Sequence, residues 1–394
     1  MNKLLVWGIA FLFLTACTPG EQSTPPAAFE LVPPDEVPQF TDSLDSKSLR
    51  DAIAKSLSFY ERQPPGTTFP MDTAQIPVET LKTTMVEFSK LLDSGRLNRE
   101  NIAQSFDIYR VSHKPAQTRL LITGYYEPLL EAQLERDRFF CYPLYGLPSD
   151  LLIIDLSTFD NARFSGQRLM GRAAGKKVVP YYSRAEIDGG RKLEGLAGTL
   201  AWLRDPIDAF FLHIQGSGIL QLPDGKYVRV GYAGTNGRPY RSIGKVLLEK
   251  GVLSPEEVSL QTIRTYLRAH PEIRDKVLWQ NESYVFFQWV QDGPKGNLNV
   301  TLTSGRSLAC DPRYYPRGAL AFLQIEQPRV EDSAHGVSGP LDRWVLNQDT
   351  GGAIKGVGRV DLFCGTGEAA ETMAGPLKSP GQIYVVIKKA MQQN

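Results

Sequence analysis

The sequence predicts a mainly β protein with some α, divided into more than one domain. Between Thr118 and about residue 234, short apolar runs alternate with turn signals, at residues 119–126, 151–156, 178–182, 210–214 and 227–230. That spacing belongs to a barrel or sandwich rather than to alternating β/α units. Helical periodicity is confined to two stripes before residue 95 and a patch after residue 240. The length, 394 residues with 42% apolar, allows roughly two or three domains of ~150 residues and a sizeable buried core.

The chain opens with a targeting segment, residues 1–17. Lys3 supplies a positive start, and Leu4 to Leu14 form an apolar run too short for a transmembrane helix, which needs ~20 apolar residues. The run ends in Leu14-Thr15-Ala16-Cys17, which resembles a bacterial lipobox, whose cysteine is lipidated and becomes the mature N-terminus. Cys17 is therefore expected to tether the chain to a membrane without embedding it. Thr18, with no aspartate in its place, points to the outer membrane, the body facing the periplasm. Six prolines between Thr18 and Phe40 predict an extended linker over residues 18–45, at ~3.1 Å per residue in polyproline form.

Helices come next. Leu49, Ile53, Leu57 and Tyr60 fall near helical spacing behind Asp45 and Ser46, which can cap, and Pro64-Pro65-Gly66 ends that element. Pro77 and Glu79 begin a second helix, with Leu81, Met85, Phe88 and Leu92 on one face and Gly95 beyond its end. After the strands, residues 241–249 predict a helix closed by Gly251, and Ser254-Pro255-Glu256-Glu257 reads as a capping box opening another. Strands resume at 283–290, followed by 298–302, 320–325, 344–346, 359–363 and 383–387.

The chemistry concentrates in residues 347–367, where Asp349 and Asp361 stand twelve residues apart among six glycines. Glycines this dense predict tight turns, or a backbone that something else approaches closely. Asp349, just before Thr350-Gly351, reads equally well as turn chemistry. Asp361 lies inside an apolar, strand-like run, where a carboxylate costs free energy unless it is paired or used. It is a candidate acid/base.

Other chemistries are less well supported. A net charge of +1 with no long run of like charges argues against a nucleic-acid partner. His113, His213, His270 and His335 are scattered, the cysteines show no zinc spacing, and no nucleotide-binding fingerprint or nucleophile elbow is present, so no metal and no cofactor are expected. With Cys17 lipidated, Cys141, Cys310 and Cys364 remain, and Cys364 with His213 or His335 offers an alternative Cys–His hydrolase. Polar and aromatic clusters at residues 123–128, 180–184, 213–218 and 232–237 suit an extended neutral polymer such as a glycan, or else turns beside packed tyrosines.

Residues 348–356, 359–363 and 365–367 together resemble the 3D motif, named for three aspartates, with Asp342 of Leu341-Asp342-Arg343 as the first. Residues 122–128, 214–218 and 232–244 resemble the insert domain of the membrane-bound lytic murein transglycosylase A family. The resemblance covers nearly all of the chain after about residue 45. It implies a double-psi β-barrel domain built from residues 46–123 and 241–394, with a second, β-barrel-like domain inserted over 124–240 and a groove between the two. The implied reaction cleaves the β-1,4 bond between N-acetylmuramic acid and N-acetylglucosamine in peptidoglycan and leaves a 1,6-anhydromuramoyl end. Peptidoglycan glycan strands would be the partner, with cell-wall synthesis or division proteins compatible as others.

By position in the motif, Asp361 resembles the single catalytic acid/base and Asp349 its supporting carboxylate. Thr123, Gly124, Tyr125, the turn Gln215-Gly216-Ser217 and Gly351 fall where groove-lining residues are expected. To donate a proton near neutrality, Asp361 must be raised from the ordinary ~3.9 by burial or by the like charge of Asp349. Cys364 and the loop 355–359 depart slightly from the family pattern. The alternatives are a cysteine-dependent cell-wall peptidase using Cys364 and a non-catalytic, expansin-like glycan-binding protein.

Overall fold

The computed structural model describes residues 28–112, 119–164, 166–255, 257–326 and 341–390. The leader with Cys17 lies outside the described residues, as do His113 and His335.

The chain enters a first body at strand β1 (Phe29–Leu31). Helices α1 (Ser46–Glu61) and α2 (Val78–Asp93) follow, then β2 (Phe106–Val111) and β3 (Leu120–Glu127). It crosses to a second body through β4 (Leu129–Gln133), β5 (Tyr142–Tyr145), β6 (Thr199–Leu203), α3 (Pro206–Gln215), β7 (Ser217–Gln221) and β8 (Tyr227–Thr235). Helices α4 (Ile243–Glu249), α5 (Leu260–Ala269) and α6 (Pro271–Leu278) lead to β9 (Val285–Val290). The return runs through β10 (Ser307–Ala309), β11 (Leu320–Ile325), β12 (Arg343–Asp349), β13 (Arg359–Thr366), α7 (Gly367–Ala374) and β14 (Lys378–Lys388).

In the first body the strand order is β1-β2-β14-β11-β12-β10-β13-β3, and β14 pairs with β3 as well. That last pairing closes six strands, β14 to β3, into a barrel, with β2 and β1 continuing outward. The eleven-residue β14 serves three neighbours: residues 378–381 pair with β3, 381–385 with β11 and 384–388 with β2. Closure leaves the six strands without an open edge. Ile122, Leu308, Phe322, Leu346, Val360 and Leu362 of these strands are buried. Trp344 is ringed by Phe40, Phe88 and Phe322 at centroid distances of 4.7–4.9 Å. The second body is a six-stranded sheet of order β9-β8-β7-β4-β6-β5.

Of the predicted linker, residues 18–27 lie outside the described residues, and much of the rest is not a free spacer. From Phe29 to Phe40 the chain packs on the barrel: β1 pairs with β2, Phe29, Val32 and Val37 are buried, and Phe40 covers Trp344. Prolines extend the chain in a spacer and in a wrapping segment alike. The boundary at residue 240 also moves. Strand β9 pairs with β8, and Ile243, Leu247, Ile263 and Leu267 bury against Ile207, Phe210 and Phe211, so the second body runs on to Val290. At its other end, β3 stays in the barrel to Glu127 rather than leaving at Gly124.

Three local readings change as well. Residues 210–214 are helical, capped by Asp205 with Pro206 in the first turn; a short, mostly buried apolar run does not distinguish helix from strand. The helix expected from Ser254 starts instead at Leu260, where Ser259 and Thr262 form the capping box. Residues 298–302 form a loop laid against β12, and their alternation reflects Leu298, Val300 and Leu302 facing the core.

Arg306 is fully buried where the N-terminal segment meets the barrel. Its guanidinium donates to both oxygens of Asp42 (2.9 and 2.7 Å), to the Trp344 and Asp45 carbonyls (both 2.8 Å) and to Ser48 Oγ (3.0 Å). Asp42→Ala, which leaves that cation buried without a counter-charge, is expected to cost roughly 3 kcal/mol in urea denaturation. Adding Arg306→Met should recover most of the loss, because a buried apolar pair carries no desolvation penalty.

Candidate active site

Strand β10 lies between β12 and β13, and Ala309 is the register partner of both Asp349 and Asp361. Two carboxylates twelve residues apart in sequence are thereby set one strand to either side of a single small residue. On the far side of Asp361, Thr123 of β3 is its register partner. Side chains alternate along a strand, so Arg359 and Asp361 share one face of β13 while Val360 and Leu362 fill the barrel.

The two aspartates have different surroundings. Asp349 Oδ2 accepts from the Tyr125 hydroxyl at 2.8 Å and Oδ1 from the Asn297 amide at 3.0 Å. The loop carrying Asn297 lies so close to β12 that a Cβ on Gly296 would sit 2.4 Å from the Gln348 carbonyl oxygen. Asp361 is mostly buried, its side chain 16% exposed, and Oδ1 has no hydrogen-bond partner. The nearest cation, Arg359, stands 3.7 Å away, with Nε and Nη2 donating to Thr123 Oγ1 at 3.2 and 3.1 Å.

Burial pushes the Asp361 carboxyl up to about 6, against the pull of the Arg359 charge. Burial also pushes Asp349 up to about 6, opposed by the bonds from Tyr125, Thr350 and Asn297, with the charge of Asp361 the smallest contribution. The expectation that Asp349 perturbs Asp361 is thus corrected: burial does the raising. The two differ in their donors: both oxygens of Asp349 are held as acceptors, whereas Asp361 Oδ1 has none, and a missing donor favours the protonated form.

A groove of about 400 Å³ opens between the two bodies. Tyr125, Asn297, Asp349 and Gly351 line it from the barrel, and Gln215, Gly216, Ser217, Tyr232 and Gln288 from the second body. Gln215 also crosses the junction, its Oε1 accepting from the Tyr126 amide at 3.1 Å. Thr123 joins the site through Arg359. Gly124 does not: a Cβ there would meet Ala374 Cα at 2.8 Å and Cys364 Sγ at 3.1 Å, so its role is to let α7 pack on β3. Asp342, at the opposite end of β12 from Asp349, accepts from Gln324 and binds Ser43 through its carbonyl. It is structural.

Arg359 could have been found from its two-residue spacing to Asp361 on a strand. Asn297 carried no signal, since it acts through its backbone. A larger cavity of about 590 Å³ on the second body, lined by Arg204, Asp205, Asp208 and Arg268, holds none of the predicted residues, and Arg268 is paired there with both aspartates.

The cysteine alternative finds no support. Cys364 is buried, its thiol pushed up to about 12 by burial, and it points to the Leu362 carbonyl and Gly124. His213 is buried in the second body against Tyr284 and Phe287, with both ring nitrogens unpartnered.

Residues 121–288 match the MltA specific insert domain, and residues 306–387 match the 3D domain. The crystal structure of a membrane-bound lytic murein transglycosylase from Agrobacterium tumefaciens is similar with a TM-score of 0.75 at 31% identity, covering 92% of this chain and 98% of that one. The chain belongs to the membrane-bound lytic murein transglycosylase A family. Two curated relatives of that name, from Vibrio cholerae and Escherichia coli K12, are 31% and 33% identical over 272 and 268 residues. Those stretches cover 68% and 67% of this chain but 65% and 64% of the relatives, slightly under two thirds of their length. The family's insert match ends in β9, in agreement with the far end of the second body, and starts in β3, which the structure keeps in the barrel. The 3D match starts at Arg306 and ends in β14.

In this member of the family, Arg359→Gln removes the cation that opposes the burial of Asp361. The carboxyl of Asp361 is expected to titrate above its present value of about 6. A carbon-detected NMR titration reads this directly, and an unchanged or lower value would contradict the assignment.

Proposed function

We propose that the chain is a lytic transglycosylase that cleaves the β-1,4 bond between N-acetylmuramic acid and N-acetylglucosamine, with Asp361 as its single acid/base. One observation supports this reading above the rest: a buried carboxyl oxygen without a donor, on an acid raised to about 6, set across Ala309 from the Asp349 that lines the groove between the two bodies. Asp361 protonates the glycosidic oxygen as the bond from C1 breaks. The resulting carboxylate then takes the proton from the muramoyl C6 hydroxyl as that oxygen bonds to C1. The acid is regenerated, no water is consumed, and the product ends in a 1,6-anhydro ring. A glycosidase of the usual kind needs a second carboxylate as nucleophile or as base for water. Here the substrate's own hydroxyl takes that place, with the advantage of an intramolecular attack. Asp349, whose oxygens accept from Tyr125 and Asn297, bonds that favour its carboxylate, faces the positive charge that develops on the sugar ring.

We also propose that the chain is membrane-associated, through a lipid on Cys17 at the outer membrane with the body in the periplasm. Among the described residues no helix is long and apolar enough to cross a membrane, and the relatives are named as membrane-bound. Labelled palmitate should enter the wild-type chain and not Cys17→Ala.

Asp361→Asn is expected to lower the release of anhydromuropeptides from purified murein by about 10²–10⁴-fold or more, scored by products lighter than the reducing sugars by one water. Release at the wild-type rate from a folded variant would end the proposal. Cys364→Ser should retain activity. Because the acid must start protonated, kcat/KM should fall about tenfold per pH unit above the Asp361 pKa of about 6. Asp349→Asn should be slower with that limb near the same pH, since burial and not the neighbouring charge sets it.

Stability carries an independent signature. Ionising a carboxyl raised from 3.8 to about 6 costs the fold up to about 3 kcal/mol above pH 6, and nothing below pH 3.8. Asp361→Asn should therefore be more stable than wild type at pH 7, and the difference should shrink as the pH falls.

A further inference from the structure

The two walls of the groove differ in charge. On the barrel side stand Lys295, in the loop that delivers Asn297, and Lys355, in the loop that follows Asp349. Both are exposed, and among the described residues neither ammonium has a carboxylate within ion-pair distance. The second-body wall offers Gln215, Ser217, Tyr232 and Gln288, all neutral. Asp349 is the acidic group of the groove, and its oxygens are taken by Tyr125 and Asn297.

N-acetylmuramic acid differs from N-acetylglucosamine by a lactyl ether on O3, which ends in a carboxylate or, when a peptide stem is attached, continues into residues that carry carboxylates. In an extended β-1,4 strand each sugar is turned over relative to its neighbour, so alternate sugars face alike. The lactyl groups then emerge along one edge, and the strand has an anionic edge and a neutral edge. We infer that Lys295 and Lys355 read the carboxylates on the anionic edge of the strand, which fixes the side of the groove toward which that edge points. This rests on the proposed function, and it adds the residues that distinguish murein from a neutral glycan of the same backbone. Exposed cation–carboxylate contacts are individually small and screened by salt. Their effect is therefore on which strand binds and which way round.

Equilibrium binding tests this without turnover, in the Asp361→Asn chain. Three probes are used: glycan strands stripped of peptide, which keep only lactyl carboxylates; strands with intact stems; and chitohexaose, which has no carboxylate. Lys295→Gln with Lys355→Gln is expected to weaken binding of the carboxylate-bearing strands by roughly 2- to 20-fold and to remove its dependence on salt. Chitohexaose binding should stay the same, as should the melting temperature. Lys295→Arg with Lys355→Arg should bind like the parent. Weakening on both kinds of strand assigns the contact to the lactyl carboxylate, and weakening on stem-bearing strands alone assigns it to the stem. An equal loss for chitohexaose, or no loss with salt dependence intact, would overturn the inference and leave the proposed reaction standing. A parent chain that binds none of the three probes would overturn the proposed function itself.

Discussion

Glu127 is the carboxylate on which the arrangement of the two bodies rests. It is fully buried at the point where the chain leaves the barrel. A charge so placed persists only if it is paired and hydrogen-bonded. Arg229 of β8 meets it with two donors at 2.8 and 3.2 Å, and Thr366 at the end of β13 adds a third at 2.9 Å. One carboxylate thus joins the barrel strands that carry Asp361 to the sheet that forms the opposite wall. Arg264 of α5 makes a second link, between Asp208 of α3 and Glu371 of α7, and Gln215 a third, to the backbone of β3. These polar contacts hold the second body against the barrel, since paired groups of this kind admit few other arrangements.

The barrel does a different task. Its closure through β14 places Asp361 between two hydrogen-bonded neighbours, so the backbone around the acid is held on both sides. Burial there raises the Asp361 carboxyl, which is unfavourable for folding and, in the proposed reaction, useful for proton transfer. Asp349 shares the burial but has donors to both oxygens. Two chemically identical side chains, raised alike by burial, are distinguished by which of them has hydrogen-bond donors.

Much of this was legible before any fold was known. Asp361 stood out as a carboxylate in an apolar run, and the glycines around it marked a tightly turned segment. Helices α1 and α2 followed from their stripes, and most C-terminal strands from their apolar runs. Less was legible where a residue's neighbours come from distant sequence. The proline-rich stretch before Ser46 read as a spacer because its composition is the same whether it packs or not. Gly124 read as a groove residue, yet it is there so that α7 can approach β3. Residues 210–214 of α3 were taken for a strand because a short apolar run reads alike in helix and strand.

What the sequence determined by itself was the inventory: the acid, its glycine-rich setting, the amide- and tyrosine-bearing turns, and the family to which they point. Local patterns are enough for that, since periodicity and turn chemistry depend on near neighbours. The tertiary structure decided how the surroundings of the two aspartates differ, through contacts with Tyr125, Asn297 and Arg359 that lie 224, 52 and 2 residues away from their partners. It also decided that the second body extends to Val290 and that Lys295 and Lys355 line the same wall of the groove. Burial, hydrogen-bond donation and the sign of charge along a groove are properties of surroundings, and the surroundings exist only once β10 has slipped between β12 and β13.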